Sequence, residues 1–369
     1  MAAIPKEAWD RLLDPEALPF LEWSWLEAFE HAGCVGEGTG WEPRHLTLWR
    51  GETLVAAAPA YAKTGSHGEF VFDWEWASAA EQLGVRYYPK LLVAVPMTPA
   101  TGRRILVAPG EDRRDMEKAI LAGAVEYARE ARLSSVHILF PTEAEARSME
   151  EAGYAIRLGM QFHWQNEGFG TYDEFLARFA SKRRNQMKRE RRAAGEQGIE
   201  VRTRRGEELS PDDAGLVFRL YATNVDRHLY GGRYLNSAFF RRVLDRFRGR
   251  VELVEARRAG RTIAGAFNVA SPTALYGRYW GCLEEHPFLH FHVCLYHSID
   301  ECISRGISRF EGGAGGQHKV GRGFAPSVTR SAHWIFHPGL DRAVRGFLAR
   351  EAAAVEASIP AWRERTGMR

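Results

Sequence analysis

The richest stretch of potential chemistry in the chain runs Glu311-Gly312-Gly313-Ala314-Gly315-Gly316-Gln317-His318-Lys319-Val320-Gly321-Arg322-Gly323-Phe324. Four glycines around Ala314 remove side chains, so that a ligand or another backbone can approach closely. Lys319 and Arg322 then offer cationic donors beside that opening, which suits a phosphate, a carboxylate or the oxyanion of an acyl transfer. Glu311, where the preceding strand enters the glycine run, is a candidate general base. His318 is either a proton-exchanging group near neutral pH or a structural hydrogen-bonding residue. The plain alternative for the whole segment is a glycine-rich turn carrying two solvated cations.

A second set of polar residues lies in GEFVFDW, where Glu69 and Asp73 each stand two positions from Val71. On a strand that spacing puts all three on one face. Carboxylates flanking an apolar residue in this way fit a polar cleft or a wet edge strand. With Tyr87, Tyr88 and Lys90 from the segment that follows, they form a candidate site for an amine-bearing acceptor, Asp73 being a further candidate base. A third set is cationic: Ser181 to Arg192 holds Lys182, Arg183, Arg184, Lys188, Arg189, Arg191 and Arg192. Like charges repel along a helix, so Arg184, Lys188 and Arg191 are candidates for an anion-binding face toward tRNA or a pyrophosphate-linked precursor. The competing possibility is a solvated helix whose charges pair with acids elsewhere. Aromatic residues do not interleave with these cations, which argues against sequence-specific RNA reading.

His290, His292 and His297 do not make a familiar metal set, because their spacing splits them between helix faces and no carboxylate or cysteine completes it. Cys34, Cys282, Cys294 and Cys302 are scattered without a CxxC pair, so neither zinc nor a disulfide framework is indicated. Cys294 and Cys302 read as core residues of one helix. There is no GxSxG elbow, Walker loop or dinucleotide fingerprint, which excludes the common hydrolase, kinase and dehydrogenase patterns.

The elements that must position these groups appear twice. LTLWRGETLVAAAPAYAK from Leu46 and LVEARRAGRTIAGAFNVA from Leu253 both read as hairpins. They align at Gly51 with Gly260, Thr53 with Thr262, Leu54 with Ile263 and Ala57 with Ala266. Each is followed by a strand-like run, EFVFDW in the first half and TALYGRYWG, with Tyr279 and Trp280, in the second. Amphipathic helices come next: Ile120, Leu121, Ala124, Val125 and Ala128 share one face, and Phe291, Cys294, Leu295, Ile299, Cys302 and Ile303 share another. Each helix leads into a strand, SVHILF or SRFEGGA. Hairpin, strand, helix and strand, repeated, predict an α/β (α+β) protein with mixed sheets. The first copy carries EWASAAEQLGVRYYPKLLVAVPMTPATGRR as an insertion, of the kind that builds site walls.

Between the copies, a helix is predicted from the capping box of Thr171 and Glu174 to Gly195 or Gly198. Two domains follow, 1–165 and 166–369, the second with the basic entry helix and a closing helix over 339–358. Upstream, PFLEWSWLEAFEHAG is the first helix, with Phe20, Trp23, Leu26 and Phe29 directed inward. The length, 369 residues, suffices for two cores. A formal charge of +3 confines any anionic partner to a local patch. No apolar run is long enough to span a membrane, and MAAIPKEAWDRLLDPEALPF has charges where a signal peptide needs an apolar core; a soluble, cytoplasmic protein is expected.

Several of these segments in order, PFLEWSWLEAFEHAG with TGWEPRHL, GEFVFDWEWASAAEQLGVRYYPKLLVAVPMTPATGRR, SKRRNQMKRERR, and HFHVCLYHSIDECISRGISRFEGGAGGQHKVGRGFAP with SAHW, resemble a FemAB-like family linked to peptidoglycan biosynthesis and also named GNAT N-acetyltransferases. The family pattern has an acid where this chain has His292, and Gln-Gly-Glu where it has Gly315-Gly316-Gln317. The resemblance implies tandem GNAT domains and transfer of an acyl group to an amine, with aminoacyl-tRNA or acyl-CoA as donor, no tightly bound cofactor and no metal. It also makes Lys319 the first choice for stabilising the transition state, since it matches the lysine of the Fem pattern. Gly312, Gly313, Gly315, Gly316 and Arg322, with Tyr279 and Trp280, are the further candidates for binding substrate, in a site expected between the domains. The Arg/Gln-x-x-Gly-x-Gly/Ala loop that holds pyrophosphate in acetyl-CoA enzymes is missing after TALYGRYWG, which favours a donor other than an ordinary CoA thioester.

Overall fold

The computed structural model describes residues 1–15, 17–227 and 232–368. The chain divides into two compact units, Met1–Met160 with Val328–Ala357, and Gln161–Ser327 with Ser358–Arg369. The contiguous halves 1–165 and 166–369 would put 328–357 in the second unit, whereas these residues pack with the first.

The first unit contains α1 (Lys6–Asp10), α2 (Trp23–His31), β1 (Trp41–Pro43), β2 (Leu46–Arg50), β3 (Thr53–Ala58), β4 (Ala60–Lys63), α3 (Trp74–Gln82), β5 (Lys90–Val93), β6 (Leu106–Val107), α4 (Arg113–Glu130), β7 (Ser135–Leu139), α5 (Glu143–Glu151) and the start of β8 (Ala155–Gln165). The second contains the end of β8, then α6 (Tyr172–Ala177), α7 (Ser181–Glu196), β9 (Ile199–Arg205), α8 (Ala214–Val225), α9 (Ser237–Arg246), β10 (Val251–Arg258), β11 (Arg261–Ala270) and β12 (Ala274–Cys282). There follow α10 (Leu289–Phe291), a π-helical turn (His292–Tyr296), α11 (His297–Ser304) and β13 (Arg309–Glu311). Both β14 (Ala325–Ile335) and α12 (Pro338–Thr366) run from one unit into the other along the chain. No helix among the described residues is long and apolar enough to cross a membrane.

Each unit repeats one pattern: antiparallel strands, a parallel pair joined by a crossover helix, then an antiparallel strand. In the first unit β4 pairs antiparallel with β5, β5 parallel with β7 through α4, and β7 antiparallel with β14. In the second β11 pairs antiparallel with β12, β12 parallel with β13 through the α10–α11 segment, and β13 antiparallel with β8. Leu91, Val93, Val136 and Ile138 bury themselves against Ile120, Leu121, Ala124 and Ala128 of α4, whose first turn is capped by Asp112. The second core gathers Val254, Ala256, Ile263, Ala264 and Val293.

Both expected hairpins form, but their register differs by one from the glycine match. Arg50 pairs with Thr53, and Arg258 with Arg261, so Gly51 corresponds to Ala259 rather than Gly260. Ala259 and Gly260 both take positive φ, the turn that suits the twist of a two-residue hairpin. In the first unit the run that forms the second strand of the hairpin is split into β3 and β4 at Pro59, which has no N–H to give to a ladder.

Three further expectations change. EFVFDW is not a strand: the chain runs irregularly to Asp73, with Phe70 at φ 62°, and Trp74 opens α3. The counterpart of TALYGRYWG is instead β5, inside the supposed insertion. The single helix from Thr171 divides after Ala177, Thr171 capping α6 while the cations occupy α7. In α2 it is Trp25 that is fully buried, Trp23 being only partly so.

Candidate active site

The cavity of the second unit is framed by backbone irregularity. The β12–β13 pairing ends at Tyr276 and Glu311, while β12 continues to Cys282. On the other side of β12 the register with β11 shifts: Phe267 faces Tyr279 and Asn268 faces Gly277, leaving Arg278 as a bulge. Bulges re-aim side chains and recur beside sites. The opening so made is a cavity of about 90 Å³. Its walls are Ala266 and Asn268 from β11, Gly277 to Trp280 from β12, and Phe310 and Gly312 at the end of β13. His290, Cys294 and Leu295 close it from the helical side, and His318 and Lys319 from the glycine-rich loop.

The π-helical turn explains the helical wall. An extra residue per turn rotates the faces on either side of it, so Cys294 and Leu295 both line the cavity while Ile299, Cys302 and Ile303 are buried. Phe291, expected in the core, instead lies 3.4 Å from the Arg322 guanidinium as a cation–π partner.

Lys319 is only 5 % exposed. Its ammonium donates to the carbonyl oxygens of Gly313 at 2.8 Å and Gly315 at 3.0 Å, fixing the loop around itself. The glycines serve this lysine as much as any ligand: a Cβ on Gly312 would meet Lys319 Cε at 3.3 Å and the Phe324 ring at 3.2 Å, and one on Gly316 would meet Lys319 Cε at 3.0 Å. Burial draws the Lys319 pKa down to about 8. His318 is exposed, 5.4 Å from His290 between ring centroids. The partial burial of its ring, then the charges of Lys319 and Arg322, lower the His318 pKa, and burial with His318 and the same two cations takes His290 to about 4. Near neutral pH both imidazoles are uncharged.

Two expected site residues face elsewhere. Arg322 is taken up by the protein itself: Nη2 donates to Glu190 Oε2 at 2.8 Å, Nε to Tyr296 Oη at 2.8 Å and Nη1 to the His318 carbonyl at 2.8 Å. It ties the loop to α7 and to the π-helical turn rather than presenting itself to a ligand. Glu311 alternates away from Phe310 and Gly312, with Arg309 at 3.2 Å and His163 at 3.9 Å, so the candidate base lies outside the cavity wall.

In the first unit Asp73, Glu69, Tyr87, Tyr88 and Lys90 do come together, by a loop and a helix start rather than by strand alternation. The Lys90 ammonium, wholly buried, donates to Glu69 Oε2 at 2.9 Å and to Asp73. Asp73 also accepts from Ser66, from Tyr87 at 2.6 Å and from Tyr88 at 3.1 Å. Burial alone would raise the Asp73 pKa, but Lys90, His137 and these donors hold it well below the usual carboxylate range. A carboxylate so fixed is a counter-ion, and the geometry gives no support to Asp73 as a base. Glu69 is raised by burial, with Asp73 adding and Lys90 opposing, to about 7. Tyr87 and Tyr88 also edge an open groove beside Trp74 and Arg86.

Along α7, Lys188 and Arg191 line a groove with Asn185 and Arg192. Arg191 is paired with Asp300 and stacked 4.1 Å from Tyr172. Arg184 turns back toward Ser181 and the Phe179 carbonyl and is not in that groove. Among the described residues no group of three or more potential ligands is arranged to hold a metal ion.

Sequence reasoning missed Asn268, Arg278 and His290 as cavity residues. The bulge and the π-helical turn that bring them in leave no mark in periodicity; only the glycine at 277, opposite Asn268, hints at a close approach.

The family described as FemAB-like, peptidoglycan biosynthesis/recognition, matches residues 1–369. A crystal structure of FemX is similar at 13 % identity with a TM-score of 0.55, covering 93 % of this chain and 98 % of that one. The C-terminal domain (DUF2156) of a putative lysylphosphatidylglycerol synthetase from Agrobacterium fabrum matches at 10 % identity and TM-score 0.54, over 93 % and 94 % of the two chains. L-PGS from Bacillus licheniformis matches at 11 % and 0.51, over 90 % and 95 %. At these identities the likeness is one of fold. Comparison with curated proteins gives no match.

Proposed function

The chain belongs to the FemAB-like family of acyltransferases, and from that premise we propose that it forms an amide by transferring an acyl group to an amine of a cell-wall-type precursor. The observation that carries this is the cavity where β12 and β13 part, with the Lys319 ammonium on its wall. In the reaction the amine nitrogen attacks the acyl carbonyl, the C–N bond forms, and the ester or thioester bond breaks. The proton lost by the amine leaves with the alcohol or thiol. Negative charge develops on the carbonyl oxygen, and a buried ammonium next to it is worth far more than one in water. Lys319 is assigned that role, and the carbonyls of Gly313 and Gly315 hold it in place.

The donor is aminoacyl-tRNA or an acyl-CoA, with no tightly bound cofactor. For the first, the α7 groove supplies cations for the phosphate backbone. Incubating the protein with a model amine and each donor in turn, and following amide formation by mass spectrometry, tests the proposal; absence of product from every donor would overturn it.

Replacing Arg184, Lys188 and Arg191 together by Ala should leave the fold intact and weaken tRNA binding. Since each phosphate contact contributes about 0.9 to the slope of log affinity against log salt, the slope should fall by about 1, because Arg184 lies outside the groove and Arg191 is already engaged by Asp300, leaving Lys188 as the groove cation lost. Filter binding between low and physiological salt reads this directly. An unchanged slope would make α7 a solvated connector.

A further inference from the structure

The cavity of the second unit holds a polar group that finds no hydrogen-bond partner among the described residues. Asn268 is 2 % exposed and lines the cavity, and its Nδ2 makes no hydrogen bond to any described residue. An amide donor buried in this way loses its water and gains nothing, at a cost comparable to a lost hydrogen bond. Such a group inside a cavity points to an acceptor that arrives with a ligand. The surroundings narrow what that acceptor belongs to. Arg278, His290, His318 and Lys319 share the walls with Asn268, and none of the lining residues is a carboxylate. With two cations, Arg278 and Lys319, and no carboxylate to offset them, the site favours an oxygen acceptor, uncharged or anionic, and opposes an ammonium group.

We infer that Asn268 is a specificity-determining residue, donating to a carbonyl, carboxylate or hydroxyl oxygen of the acyl donor, and that the part of the donor held in this cavity carries no ammonium. This rests on the acyltransferase reading and deepens it. An aminoacyl donor would have to keep its α-ammonium outside the cavity, whereas an acyl group ending in oxygen, or the amide-bearing arm of a thioester, enters with its acceptors satisfied. The placement of Asn268 comes from the β11–β12 register shift, which seats it opposite Gly277, where a Cβ would come within 3.7 Å of its Oδ1.

The chain has five asparagines, so selective 15N-asparagine labelling gives few side-chain amide signals, and the one absent from Asn268→Leu is assigned to Asn268. Acetamide and acetate, the oxygen-bearing probes, should each move that signal in the wild-type protein, and methylammonium at equal concentration should not. The inference is overturned if methylammonium shifts it as strongly, or if neither oxygen probe shifts it. A kinetic arm separates this from the proposed reaction: Asn268→Leu should raise the KM for the working donor about tenfold or more, with a smaller change in kcat. Transfer with an unaltered KM in Asn268→Leu sinks the assignment while the reaction stands. Absence of transfer by the wild type, with the probe response intact, sinks the reaction while the binding group stands.

Discussion

Lys319→Ala should melt close to the wild type yet turn over about 100 to 1,000 times more slowly at saturating substrate, the loss that follows removal of one transition-state donor from a preorganised site. The side chain is buried and its ammonium already spans two loop carbonyls, so no reorganisation is needed when charge develops beside it. Lys319→Arg should recover only part of the rate, because a planar guanidinium does not fit the space left by Gly312 and Gly316 for a slender stem and compact ammonium. The pH profile gives an independent check. Burial lowers the lysine to about 8, so the charged fraction, and the rate that depends on it, should fall as pH rises through about 8. In Lys319→Arg that falling limb should vanish, since a guanidinium stays charged. Wild-type turnover in Lys319→Ala would reduce the lysine to a buckle of the loop and shift the electrophilic role to the backbone amides of β12.

How far the site could be read from residues alone follows from which features are local. The hairpins were legible because polar turns interrupt apolar runs, and α4 because Ile120, Leu121, Ala124 and Ala128 recur at helical spacing and are buried. Lys319 was legible through its glycines, although these make room for the lysine stem as well as for a ligand. Arg322 was misjudged because its partners, Glu190 and Tyr296, lie 132 and 26 residues away in the chain. Asp73 and Glu69 were expected together on a strand. They meet through a loop and the start of α3, because a common cation, Lys90, gathers both. The cavity itself depends on a bulge, a strand that ends early and a π-helical turn. Each of these is set by packing between distant segments, which no local pattern records.

The Lys90 cluster is where the largest loss of stability is expected. Lys90→Met removes the one ammonium bonded to both Asp73 and Glu69, all three being almost wholly buried. Two carboxyl groups would then share a dry site with no cation bonded to them, the nearby Lys63 being itself drawn down by burial to about 7, and breaking a buried pair from one side costs about 3–5 kcal/mol. The deficit should depend on pH. Without Lys90 the folded-state pKa values of Asp73 and Glu69 rise above their unfolded values. Groups raised in this way support folding below the unfolded pKa and oppose it as pH climbs past it. Measured by urea unfolding, the difference between wild type and Lys90→Met should therefore be greatest near neutral pH and shrink toward pH 4. Adding Asp73→Leu and Glu69→Leu to Lys90→Met should return much of the lost stability, since the two stranded carboxyl groups are then replaced by apolar side chains. The hydroxyl of Tyr87, which donates a hydrogen bond to Asp73 at 2.6 Å, would lose its acceptor in that triple variant and keep the recovery incomplete. A pH-independent deficit, or a triple variant no more stable than Lys90→Met, would mean that the lysine stem packs against Tyr87 and Tyr88 and that its charge matters little.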